Sequence, residues 1–198
     1  MCERAKNRQL KIAITGGIGS GKSFVCERLR RFGIDIYDCD AAAKRLMRTS
    51  APLQQALREA VGEDVYQDGV LNKARMAQFL LASEQNAQII DHLVHPAVAA
   101  DFLASGYTWM ECAILFESGF DRLVDVVVYV DAPHDVRLKR VMARDGITAE
   151  KVEEWMHRQL PPEEVRRRCD YVILNDGIAD VDEQIQVFLG TPKQRFIK

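Results

Sequence analysis

The stretch "LKIAITGGIGSGKS", residues 10 to 23, joins a short apolar run to a segment with four glycines, a lysine and two serines. Glycine loses more backbone freedom on ordering than any other residue. Four of them between positions 16 and 21 therefore signal a backbone that needs conformations closed to other side chains. The pattern is G-x-x-x-x-G-K-[ST], with Gly16, Gly21, Lys22 and Ser23 at the fixed positions. Its meaning depends on a strand before it and a helix after it. "KIAIT" reads as the strand and "KSFVCERLRRF" as the helix. In that setting the glycines let backbone amides point at phosphate oxygens without Cβ clashes. The helix start adds its positive end. Lys22 carries charge to the outer phosphates, and Ser23 offers a hydroxyl to Mg²⁺. A glycine turn that merely joins strand to helix is the plain alternative. The complete motif with both flanks favours a loop that holds a nucleotide triphosphate.

Working outward, short apolar runs at 11–15, 35–37, 111–116, 125–130 and 171–174 read as strands. Three of them lack polar alternation, as expected for strands covered on both faces of a parallel sheet. Helical patterns follow at 22–32, 41–49, 53–61, 73–82, 85–105, 134–144, 149–159 and 181–189. Strand–helix alternation predicts an α/β fold with right-handed crossovers. The spacing is uneven, so residues 38–110 and 131–170 read as two helical insertions in one sheet-based core. Asp68-Gly69 predicts a turn, Asn72 and Thr148 predict helix caps, and "LPPEE" predicts one helix ending and another starting. Pro96 predicts a new helix or a kink within 85–105.

The chain has 198 residues and a net charge of -2, so nothing in its bulk favours nucleic acid or an anionic membrane. Five cysteines, Cys2, Cys26, Cys39, Cys112 and Cys169, include no C-x-x-C pair. That argues against a disulfide framework or zinc site and for a reducing, cytoplasmic setting. No run approaches the length of a membrane span, and the apolar run at the N-terminus is too short for a signal peptide.

A triphosphate loop serves kinases, GTPase switches, mechanical ATPases and plain binding modules. A GTPase needs N-K-x-D, and the single Asn-Lys, at 72–73, lacks the aspartate. Two helical insertions suit a kinase, which needs an acceptor pocket and a cover that excludes water. "YDCDAAAKR" places Asp38 and Asp40 at the C-terminal end of the second strand, where open α/β sheets bind ligands. Either carboxylate can take the proton of an attacking hydroxyl or hold water on Mg²⁺; either can equally cap the following helix. Arg137, Arg140 and Arg144 fall on one helix face, suited to phosphate oxygens or to solvent. Glu117 and Asp131 end apolar runs and are candidates for orienting Mg²⁺, or for capping strand ends.

Taken in order along the chain, "TGGIGSGKS", "YDCDAAAKR", "DGVLNK", "HLVHPAV", "ILFESG", "VVVYVDAPHDVRLKRVMARD", "RQL" and "CDYVILNDG" resemble the dephospho-CoA kinase family over nearly its whole length. The resemblance implies a three-layer α/β/α phosphate-loop fold with a five-stranded parallel sheet, a helical substrate-binding insertion and a lid. It implies a core of 1–39 with 107–136 and 168–198, an acceptor domain at 40–106, and a lid at 137–167. It implies phosphoryl transfer from ATP, with Mg²⁺, to the ribose 3′-hydroxyl of dephospho-CoA, in a monomer or weak homo-oligomer that binds neither nucleic acid nor membrane. Carried over by position, Asp40 is the catalytic base, assisted by Lys22 and Arg140. Gly17, Ile18, Gly19, Ser20, Gly21, Lys22 and Ser23 hold ATP, with Arg144 in the lid and Asn175 near the adenine. Asp38, Asp40, Lys44, His95 and Glu117 serve the acceptor, and Ser23 the metal. Trp155 departs from the pattern at a lid position often held by arginine, with Arg158 three residues on.

Overall fold

The computed structural model describes residues 9–191, so Cys2 lies outside the described residues. In chain order these form β1 (Ile12–Thr15), α1 (Lys22–Arg31), β2 (Ile36–Asp38), α2 (Cys39–Thr49), α3 (Ala51–Val61), β3 (Tyr66–Gln67), β4 (Val70–Leu71), α4 (Lys73–Ala82) and α5 (Glu84–Ser105). Then come β5 (Trp109–Glu111), β6 (Val126–Asp131), α6 (His134–Asp145), α7 (Ala149–His157), α8 (Pro162–Arg168), β7 (Tyr171–Leu174) and α9 (Val181–Gly190). They separate into two compact units, one holding residues up to Tyr37 and from Tyr107 on, the other Asp38–Gly106.

The first unit is built on a five-stranded sheet in the order β2-β5-β1-β6-β7. β1 pairs in parallel with β5 and β6, and β6 in parallel with β7. The central position of β1 explains its composition: Ala13 and Ile14 are fully buried. "VVVYVD" in β6 is buried at its first five positions, as a strand covered on both faces requires. Val25 and Leu29 of α1 and Ile185 and Phe188 of α9 close the core beside these strands. The Phe188 ring meets Trp109 edge-on at 6.0 Å and Tyr171 at 4.8 Å. With all neighbours parallel, the loops after β1, β5, β6 and β7 leave from one edge of the sheet.

The second unit is helical, and its boundaries are written in small polar residues. Asp38, Ser50, Asn72 and Ser83 cap α2, α3, α4 and α5, each accepting from an amide in the first turn. Ile90, Val94, Val98 and Phe102 recur every fourth residue and form the buried stripe of α5, against which α2, α3 and α4 pack.

Two expectations are corrected, the third strand and the purely helical reading of residues 38–110. The third core strand is Trp109–Glu111, not 111–116; residues 113–119 form helical turns, with Ser118 N–H on Ile114 O at 2.9 Å and Ile114 itself exposed. An apolar run of that length does not distinguish a strand from a turn of helix. Residues 66–71 form a small antiparallel hairpin around the expected Asp68-Gly69 turn, with both φ angles positive, 49° and 77°. α5 continues through Pro96 without starting a new helix. Thr148 is the N-cap residue of α7 as expected, though its side chain makes no cap hydrogen bond to the backbone.

Ile14 fills the centre of the sheet, so Ile14→Ala is expected to lower unfolding free energy by about 2–5 kcal/mol, read by urea denaturation. A loss below about 1 kcal/mol would show that this core collapses around the missing atoms.

Candidate nucleotide-binding site

The loop between β1 and α1 is shaped at Gly19 and Gly21. Their φ angles are 77° and 87°, in the left-handed region that a Cβ disfavours. A Cβ on Gly19 would also come within 2.6 Å of the Arg137 carbonyl oxygen, a backbone atom that cannot swing aside. Gly21 caps α1, and the amides of the first turn, including Lys22 and Ser23, have no acceptor within the helix. These amides and the positive end of α1 form a cradle for an anion. Two other loop amides are already used: Ser20 N–H donates to Gly17 O at 3.2 Å and Ile18 N–H to Gln159 Oε1 at 2.7 Å.

The loop holds its shape because its carbonyls are taken from behind. Arg137 is buried, and its Nε donates to Ile18 O at 2.9 Å. Asn175, buried after β7, donates through Nδ2 to Ser20 O at 2.8 Å. Arg140 Nη1 reaches Ser20 O at 3.4 Å and Asn175 O at 2.9 Å. Asn175 is itself placed by its own N–H on Asp131 O, 2.8 Å. The three arginines read from the sequence as one phosphate-facing stripe therefore divide. Arg137 and Arg140 grip the loop, whereas Arg144 forms a two-pronged pair with Asp145 at 2.8 and 2.7 Å.

Lys22 Nζ folds onto the loop, donating to Gly16 O at 2.8 Å and to Gly17 O at 3.4 Å. Burial pushes its pKa below the usual lysine value, while Glu111, Cys26 and Cys112 pull it back up. Glu111 ends β5 beside Ile14 of β1, so its carboxylate stands near the loop in addition to that of Glu117. Asp131 is paired with Arg166 at 2.8 Å. Glu117 lies in the turns after β5 and accepts from Leu160 N–H at 3.4 Å. It lines a cavity of about 280 Å³ with Gly16, Gly17, Phe116, Tyr129 and Gln159. There desolvation pushes the Tyr129 phenol up to about 12. Ser20 turns its hydroxyl inward, buried and without a hydrogen-bond partner.

Ser23 is exposed in the first turn of α1, and no cluster of three or more His, Cys, Asp or Glu suited to a metal exists among the described residues. This donor set fits Mg²⁺ held chiefly by nucleotide phosphates with one protein hydroxyl, and does not fit an all-protein cage.

In the second unit, Asp38 is the cap of α2, accepting from Ala41 N–H at 2.9 Å. Asp40 is exposed in the first turn and paired with Lys44, whose pKa this hydrogen bond raises. His95 lies 3.5 Å from Asp91 on α5. Near Trp155, Arg158 pairs with Glu154.

Sequence reasoning did not single out Arg137 as a loop clamp, nor Glu111. The strand boundary at Glu111 was the available signal for the second. Nothing in "HDVRLKR" separates a guanidinium that faces a carbonyl from one that faces a phosphate.

A family model described as dephospho-CoA kinase matches residues 10–180. A dephospho-CoA kinase of Bacteroides fragilis is 37% identical over 183 residues, 89% of each chain. One from Porphyromonas gingivalis is 39% identical over 173 residues, 84% of this chain and 86% of that one. A crystal structure from Thermus thermophilus superposes with a TM-score of 0.78 at 30% identity, covering 92% of this chain and 97% of the other.

The half-buried Lys22 ammonium is expected to cost stability at neutral pH. Its pKa is lowered in the folded state, so as pH rises toward 10.5 the unfolded chain holds the proton longer, and stability recovers. Lys22→Met is therefore expected to melt higher than wild type at pH 7, with the gap closing toward 10.5, while triphosphate binding weakens. Thermal melts across alkaline pH check this; a gap that widens with pH would reverse the sign.

Proposed function

This chain belongs to the dephospho-CoA kinase family, and we propose that it transfers the γ-phosphoryl group of ATP to the ribose 3′-hydroxyl of dephospho-CoA, giving CoA and ADP. The observation that carries this reading is the triphosphate cradle at the start of α1, the carbonyls of Ile18 and Ser20 held by Arg137, Arg140 and Asn175, with the amides of the first turn of α1 left for phosphate. Phosphoryl transfer needs little covalent chemistry from a protein; it needs alignment and charge stabilisation. The free amides of the loop and the helix end hold the β-phosphate. Lys22 leaves the Gly16 carbonyl for the β- and γ-phosphates, whose charge favours the ammonium form that burial disfavours. Ser23 would hold Mg²⁺, which offsets charge on the phosphates when bound. The hydroxyl oxygen attacks the γ-phosphorus, the bond to the β-phosphate oxygen breaks, and the hydroxyl proton passes to Asp40. Arg140 and Arg144 meet the charge of the transferring group. Gly17, Gly19, Ser20, Gly21 and Asn175 shape the ATP site, and Asp38, Lys44, His95 and Glu117 serve the acceptor.

We read the protein as cytoplasmic and as a monomer or weak homo-oligomer acting on small molecules. The four described cysteines form no disulfide with one another, and no helix among the described residues is long and apolar enough to cross a membrane.

Mass spectrometry of products from Mg-ATP with dephospho-CoA, AMP, CMP, pantetheine or adenosine tests the reaction. CoA from dephospho-CoA alone is expected; ADP without a phosphorylated acceptor would reject it. Asp40→Asn is expected to lower kcat by about 100-fold or more while leaving KM for ATP nearly unchanged. Parallel losses in both would remove Asp40 as the base.

A further inference from the structure

Ile18 is held at both of its backbone polar groups by side chains from distant parts of the chain. Its N–H donates to Gln159 Oε1 at 2.7 Å, and its carbonyl accepts from Arg137 Nε at 2.9 Å. Arg137 lies in the first turns of α6, and Gln159 follows α7 by two residues. α6 and α7 pack on each other, so this pair of helices is tied at its beginning and at its end to one residue of the phosphate loop.

The tie at Gln159 is supported from its C-terminal side. Leu160 N–H meets Glu117 Oε1 at 3.4 Å, and Pro161 and Pro162 follow at once. A proline restricts the residue before it to extended conformations and fixes its own φ. The chain leaving Gln159 is thus stiff, and the carboxamide is the link between this stiff segment and the loop. Its chemistry suits the place. The Ile18 amide needs an acceptor, and a carboxylate would supply one only by setting a negative charge beside a cradle for phosphate. Asparagine would stop one methylene short.

We propose that Gln159 is a positioning residue: through the Ile18 amide it fixes α7 and the segment that follows as a cover over the triphosphate, so that the phosphoryl group passes to the acceptor and not to water. The role rests on the kinase reading and deepens it. Loss of the tie lets the cover move relative to the loop, and water then competes for the γ-phosphorus, giving ADP and phosphate in place of ADP and CoA.

Gln159→Met keeps length and volume but removes the acceptor; Gln159→Glu keeps an acceptor oxygen and adds charge. Three readouts separate the possibilities: exchange of the Ile18 amide hydrogen, the ratio of ADP to CoA formed, and the melting temperature. In Gln159→Met, Ile18 exchange is expected to rise about tenfold. The ADP-to-CoA ratio should climb several-fold while the melting temperature stays near wild type. Gln159→Glu should keep Ile18 protected and the ratio near wild type, with KM for ATP raised. Unchanged exchange and ratio in Gln159→Met overturn the proposal. So does a fall in melting temperature and kcat with the ratio unchanged, the mark of a merely structural side chain. If wild type makes no CoA while Gln159→Met still speeds Ile18 exchange, the kinase reading fails and the tie between Gln159 and the loop stands.

Discussion

The first unit depends on how one loop disposes of its own carbonyl groups. A backbone cannot present amides to a ligand unless its carbonyls are satisfied elsewhere, because a buried peptide group without a partner costs as much as a lost hydrogen bond. Here Ile18 and Ser20 turn their carbonyls toward Arg137, Arg140 and Asn175. The glycines at 19 and 21 take the left-handed angles this requires. The sheet serves the same end. β1, β6 and β7 lie side by side, so the loop, the start of α6 and Asn175 leave one edge together.

Lys22 shows the same demand from the side of charge. A lysine placed to meet phosphate must stand where water is scarce, and burial there opposes its ionisation. The Gly16 carbonyl and the Glu111 carboxylate lessen the penalty without removing it. Such local strain between stability and ligand readiness is what a site built before its ligand arrives displays.

The loop and the sheet were legible in the sequence because their signals are local. The glycine spacing, the flanking strand and the run at 125–130 each carry their meaning within a few residues. The caps at Asn72 and the turn at Asp68-Gly69 were legible for the same reason. The third strand was not, since "CAILF" satisfies a strand and a helical turn alike; only the pairing of Trp109 with Ile12 decides where it runs. Of the two readings of Pro96, the new helix is excluded: a proline deletes one hydrogen bond, while the packing of Val94 and Val98 on either side holds the helix. The arginines of α6 were placed on the right helix, but their acceptors were not legible. An acceptor more than a hundred residues away leaves no trace in the local pattern.

Gln159 extends this argument from placement to coupling. A side chain that closes a loop of 141 residues onto the phosphate cradle has value only if both ends are otherwise well ordered. The two prolines after it supply order on one side, and the Arg137 clamp on Ile18 supplies it on the other. With both ends set, a single neutral hydrogen bond can hold the register between loop and helices. A charged pair at the same place would hold harder and would set a fixed charge against the phosphates. The choice of a carboxamide therefore follows from the two demands together, an acceptor for the Ile18 amide and electrostatic silence.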